Sequence, residues 1–149
     1  MTTIDELLEA LADSDPVRRD DAAEALGDLL RTRELGQDSA RTAVARLVIL
    51  AVEEPVYRVR ESALHAVSEA FDHRHLPLGI VEPLTRVLDT MSPELLEYAL
   101  YIFGATQDPR ARSLIEPFLG HRDPKVRHEA KHALMETPAN DSRNANHNS

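Results

Sequence analysis

The chain has 149 residues, a formal charge of −9, 42% apolar content, 4% aromatic content, and neither tryptophan nor cysteine. Such a length holds one domain with a core of Leu, Ala, Val and Ile. The missing cysteine removes disulfides, thiolate metal sites and a thiol nucleophile, and the acidic balance argues against a nucleic-acid backbone as ligand, since that binding needs Lys and Arg on the phosphates. The opening Met-Thr-Thr-Ile-Asp-Glu lacks the basic and apolar regions of a signal peptide, and no apolar run approaches membrane-spanning length. A cytoplasmic protein without membrane association is expected.

In chain order, Ile4, Leu7, Leu8 and Leu11 fall at i, i+3, i+4 and i+7, one face of a helix, with Asp5 and Glu6 near its positive end. Asp15-Pro16 reads as an N-cap and first helical residue and opens a helix to about Leu30. Arg31 to Gln37 is the connection, with Gly36 as turn residue. A second pair is predicted over Ser39 to Val52, with Val44, Leu47, Val48 and Ala51 inward, and over Val56 to Phe71, with Val59, Ala63, Ala66, Val67, Ala70 and Phe71 inward. His73 to Gly79 reads as loop. The third pair is Ile80 to Leu88 and Pro93 to about Ala105. The fourth begins at Asp108, buries Ala111, Leu114, Ile115, Phe118 and Leu119, and ends its first helix at Gly120. Asp123-Pro124 then starts a helix whose inner face is Val126, Ala130, Ala133 and Leu134. Pro83 and Pro117 should kink or shorten the first helices that contain them. From Thr137 the chain is polar and without period, which predicts a disordered tail over 137–149.

The second helices repeat one pattern. Counted from Pro16, Pro93 and Pro124, and from Tyr57 where two residues are inserted, Ala falls at +6 in all four: Ala22, Ala63, Ala99 and Ala130. The intervals are 41, 36 and 31 residues, within the range of two-helix solenoid repeats. Asp-Pro-x-Val-Arg-x-x-Ala-x-x-Ala-Leu resembles the second-helix signature of HEAT repeats, especially the short HEAT-like type of phycobilin lyases. The resemblance implies an all-α solenoid of about four two-helix HEAT-like repeats, approximately 3–31, 38–72, 78–106 and 109–136, in one domain over 1–136. The first repeat departs at Arg18 and the third at Leu95 and Leu96, where Val and Arg are expected. In the family the arginine, here Arg19, Arg60 and Arg127, resembles a rung bonded to the turn aspartate, for which Asp15 and Asp123 are available.

With +2, +6, +9 and +10 buried, positions +4, +8 and +12 form a stripe turned from the core. It reads Asp20, Glu24, Asp28; Glu61, His65, Glu69; Glu97, Tyr101, Ala105; His128, His132, Glu136, with no Lys or Arg. In HEAT-like proteins the resemblance places this helix layer on the concave, partner-facing wall. A carboxylate ridge grading into histidines attracts a basic protein, steering association and setting register, and histidine protonation should weaken that attraction. The competing reading is a solvated acidic face that confers solubility. Tyr98 and Tyr101 lie at i, i+3 on a helix apolar almost all round; Tyr98 reads as core, and Tyr101 as core or interface anchor.

Catalytic readings fare worse. His128 and His132 have the i, i+4 spacing of a shared metal site, and His128-Glu129 is a His-Glu pair similar to those of deoxyhypusine hydroxylase, a HEAT-like di-iron enzyme. That enzyme carries the pair on several repeats, whereas this chain has Asp20-Asp21, Glu61-Ser62 and Glu97-Tyr98 at the matching positions. HEAT-like alkylpurine DNA glycosylases need a basic cleft and aromatic side chains, which an acidic, Trp-free chain does not offer. Nothing marks a phosphate loop or a Ser-His-Asp constellation. The expectation is a monomeric, non-enzymatic module without cofactor or bound metal that binds a basic protein through the acidic concave face. In its sharpest form it is an immunity or inhibitor protein. The alternatives are a HEAT-like metal-dependent enzyme and a bilin lyase-like protein.

Overall fold

A computed structural model describes residues 3–139. Its elements are α1 (Ile4–Ala10), α2 (Pro16–Leu30), α3 (Gln37–Glu53), α4 (Tyr57–His73), α5 (Leu78–Val81), α6 (Pro93–Ala105), α7 (Arg112–Ile115) and α8 (Pro124–Glu136). Segments of 3-10 helix continue α5 over Glu82–Thr90 and flank α7 at Pro109–Ala111 and Glu116–Gly120. Every element among the described residues is helical. The fold is an α-solenoid of four two-helix repeats, with α2, α4, α6 and α8 neighbouring one another in sequence order and each packed on the first helix of its own repeat. No described helix is long and apolar enough to cross a membrane.

Local chemistry sets the boundaries. Asp15 and Asp123 cap α2 and α8, accepting from the N–H of Val17 at 3.0 Å and of Lys125 at 2.8 Å, so two of the donors a helix start leaves unpaired are satisfied. Thr3, Ser92 and Asp108 cap in the same way. Pro83 and Pro117 each follow a glutamate at the start of a 3-10 segment. The ring removes an N–H and crowds the preceding turn, so the first helices of repeats three and four tighten after one α-turn, while proline-free α3 runs for 17 residues.

The inward residues read from the spacing are fully buried on α3 and almost so on α4, where Phe71 is 7% exposed. Ile4, Leu7 and Leu8 are only half-buried, packed against the edge of the core. Burying each Leu or Val side chain contributes roughly 1.5–3 kcal/mol. Thr137 belongs to the folded body: it is 5% exposed, and its hydroxyl donates to the Ala133 carbonyl at 2.7 Å. The remaining tail, from residue 140, lies outside the described residues.

Candidate partner-binding face

The stripe residues are brought together along the grooves between successive second helices. Between α2 and α4 a groove of about 180 Å³ is lined by Glu24, Asp28, His65 and Glu69. Between α6 and α8 a groove of about 250 Å³ is lined by Tyr101, Glu129, His132 and Glu136. The largest of the three, about 350 Å³, lies at the middle of the molecule and is lined by Glu61, Glu94, Glu97, Tyr98, Tyr101 and Glu129.

Residue size at two positions sets the middle groove apart from the other two. At +11 of α2 stands Gly27, facing Ala66 at +9 of α4, and a Cβ on Gly27 would lie 3.2 Å from the Ala66 Cβ. At +11 of α6 stands Gly104, facing Ala133 at +9 of α8, and a Cβ there would meet the Ala133 Cα and Cβ at 2.9 Å. At the middle junction the same register holds Ser68 on α4 and Ile102 on α6, both buried. Helices approach most closely where neither carries bulk, and the middle pair carries it.

Three of the carboxylates along α2 and α4, Asp20, Asp28 and Glu69, have a cation of this chain beside them, while Glu24 has none among the described residues. Asp20, expected to face solvent, is 7% exposed: the Ser62 hydroxyl donates to it and the Arg58 guanidinium stands 3.4 Å away. This is a correction to the ridge: Ser62 and Arg58 of α4 close over position +4 of α2. Arg31 lies 2.7 Å from Asp28 and 3.9 Å from Glu69, and His65 Nε2 lies 3.3 Å from Glu69. The stripe positions contain no cation, but Arg31 and Arg58 reach into them from outside its register.

The middle groove does not neutralise its charge. Among the described residues, Glu61, Glu94, Glu97 and Glu129 take part in no ion pair. Burial holds the Glu129 carboxyl above the usual carboxylate range; His132 and His128 oppose this and the Glu97 charge adds to it. Tyr98 is half-buried, with its ring centroid 5.8 Å from that of His65. Burial, together with the Glu61 and other nearby charges, pushes its phenol up. Tyr101 is 37% exposed and its hydroxyl donates to Asp72. Burial and that bond push its phenol up to about 12. Both phenols therefore remain neutral donors near pH 7. His128 and His132 stand exposed on α8 at the far edge.

The arginine rungs differ from expectation in their acceptor. Arg127 donates to the carbonyls of His121 at 2.7 Å and Arg122 at 2.9 Å, and Arg60 to that of Ala51 at 3.1 Å. The turn aspartates are already occupied as caps, so the rungs take backbone oxygens. Arg19 donates to the Asp13 carbonyl at 2.9 Å and, through two nitrogens, to Glu54 at 2.9 and 2.8 Å. Glu54 also accepts from the Val56 N–H at 3.1 Å. It thus orders the turn that leads into α4, which has no side-chain cap of its own, and ties repeat one to repeat two. Burial pushes Glu54 up, but the Arg19 hydrogen bond, the Val56 N–H and the Arg19 charge together leave it below the usual range. At repeat three the rung is replaced by buried Leu96.

Glu54, Arg58, Ser62, Asp72, Glu94 and Glu129 were not legible as site-forming residues. Only Glu94 and Glu129, acidic neighbours of the stripe, carried a signal. No group of three or more His, Cys, Asp or Glu arranged to hold a metal ion is present among the described residues.

No protein-family model matches the chain, and no curated protein does. Solved structures do. An engineered protein from the Northeast Structural Genomics Consortium aligns with a TM-score of 0.69 at 19% identity, over 91% of this chain and 62% of that one. The complex of CpcE and CpcF of phycocyanin lyase from Nostoc sp. PCC7120 aligns with a TM-score of 0.50 at 24% identity, over 91% of this chain and 65% of that one. The chain thus spans less than two thirds of either. At these identities the likeness carries architecture alone, and the architecture is an all-α helical repeat fold.

Proposed function

We propose that the chain is a non-enzymatic protein-interaction module whose docking surface is the second-helix face, centred on the middle groove, and whose partner is basic. The observation that carries this reading is the contrast in compensation: Asp20, Asp28 and Glu69 are held by Arg58 and Arg31 of this chain, whereas Glu61, Glu94, Glu97 and Glu129 have no such cation among the described residues. Exposed ion pairs contribute roughly 0.2–1 kcal/mol each, so four carboxylates supply steering and register more than affinity. Tyr98 and Tyr101 supply apolar area and phenolic hydroxyls at the same place, the combination that anchors protein interfaces. In its sharpest form the module masks a basic protein stoichiometrically, as an inhibitor or immunity protein does.

The test is capture from a lysate of the source organism with wild-type protein and with Glu61→Lys/Glu97→Lys, at low and moderate salt. A basic protein retained by the wild type, released as salt rises and absent from the variant supports the reading. A partner indifferent to both salt and charge reversal contradicts it. A second reading, a lyase-like accessory acting on a bilin-bearing partner, rests on the fold shared with the phycocyanin lyase complex. It predicts visible absorbance on the captured partner.

A further inference from the structure

A second depression lies at the opposite end of the second helices from the capped turns, where α2 and α4 terminate. It measures about 490 Å³ and is lined by Arg31, Arg33, Gln37, His73, Arg74 and His75, with Asp72 its one acidic side chain. On a chain of net charge −9 this is an inversion of sign. Two connections, Arg31 to Gln37 and Arg74 to Gly79, are brought together to make it.

Its parts differ in what they are free to do. Arg74 is fixed: it donates to the carbonyls of Thr32 and Leu35, each at 2.8 Å, and reaches that of Leu30 and Gln37 Oε1 at 3.5 Å. Those acceptors are neutral, so its charge is held in place without being cancelled. Asp72 accepts from the Tyr101 hydroxyl and keeps its negative charge, and Arg31 is shared with Asp28 and Glu69. Arg33 is exposed and forms no hydrogen bond or ion pair with any described residue. Gln37 is the first residue of α3, whose N-cap, Gly36, offers no side-chain acceptor, so that helix start has unpaired N–H groups. The ends of α2 and α4 oppose an anion with roughly half a charge each, and Arg74 already bonds a carbonyl of one of them. Against that opposition stand Arg33 and Arg74, paired with no carboxylate among the described residues, while Arg31 stays shared with Asp28 and Glu69. Arginine is also the side chain suited to two-point contacts with phosphate oxygens.

We propose that this depression binds a phosphate-bearing small ligand carrying at least two negative charges. It is separate from the docking surface and stands whether or not a basic protein binds there. The test titrates the full chain with inorganic phosphate, pyrophosphate and ADP at low salt, followed by calorimetry and by ³¹P resonances. Saturable one-to-one binding is expected, tighter for pyrophosphate than for phosphate and weakened about tenfold by Arg33→Ala. That substitution removes no structural bond. Arg18→Ala, which changes an exposed arginine paired with Asp13 elsewhere on the surface, should leave binding unchanged. Equal affinity for ADP and pyrophosphate assigns recognition to the phosphates alone, and tighter ADP binding assigns an organic phosphate. Absence of saturable binding, or equal losses in Arg33→Ala and Arg18→Ala, overturns the proposal.

Discussion

The α6–α8 and α4–α6 junctions join the same kind of helices in the same register, yet one is closed and the other open. Gly104 lets Ala133 approach until no Cβ would fit, while Ser68 and Ile102 hold the middle pair apart. Charge follows width in the α2–α4 and α4–α6 grooves. Arg31 takes Asp28 at i, i+3 from the same end of α2 and reaches Glu69 across the closed α2–α4 groove, whereas the glutamates of the open middle one have no cation among the described residues. One residue position per repeat thus sets how closely successive second helices approach.

The largest expected effect is at the tightest contact. Gly104→Val should destabilise by about 3 kcal/mol or more, because its Cβ alone meets backbone of α8. Urea denaturation reads this as a lowered midpoint, and an unchanged midpoint would break the comparison. Gly27→Ala meets a side chain at 3.2 Å, and a helix-propensity gain of about 1 kcal/mol offsets the squeeze. It should stay within about 1 kcal/mol of wild type. Ser68→Ala, at the open junction, loses a bond of 2.7 Å to the His65 carbonyl and should cost about 1 kcal/mol or less.

Two carboxylates should show opposite pH signatures. The Glu54 value is lowered on folding, so its stabilisation is complete above the ordinary carboxylate range and is lost as pH falls through the lowered folded value. Glu54→Gln should flatten the acid limb of the stability curve and lower its neutral plateau. The Glu129 value is raised, so its contribution is present in acid and is lost as pH rises through the raised value. Glu129→Gln should therefore match wild type in acid and exceed it at pH 7, by on the order of 0.5 kcal/mol. Parallel curves for Glu129→Gln and wild type would contradict the placement of an uncompensated carboxylate in the middle groove. The smallest effect is at Gln107, which ends α6 with φ of 55°. Gln107→Gly removes left-handed strain but frees the unfolded chain, for a net gain of about 0.5 kcal/mol in thermal melts.

The repeat was legible because its determinants are local: capping Asp-Pro pairs, alanines at fixed spacing, and prolines that shorten first helices. Asp20 shows where periodicity stops being informative, since the pattern assigns it to solvent and only the approach of Ser62 and Arg58 from another repeat turns it inward. Glu54 is 35 residues from Arg19, and Arg74 is 39 from the Leu35 carbonyl it holds. Such pairings depend on how repeats stack, which helix propensity does not encode. The difference between Gly27, Ser68 and Gly104 was present in the sequence at one offset, but its meaning needs the partner residue on the next helix.

The most direct measurement compares two charge reversals of equal size against the partner retained by wild-type protein. Association rates are measured across ionic strength for Glu61→Lys/Glu97→Lys in the open groove and Glu24→Lys/Asp28→Lys in the closed one. The account predicts about a tenfold slower association and a flattened salt dependence for the first pair, with a change of less than about twofold for the second. Equal losses would mean that the face acts only through its total charge and that the middle groove has no special part in binding.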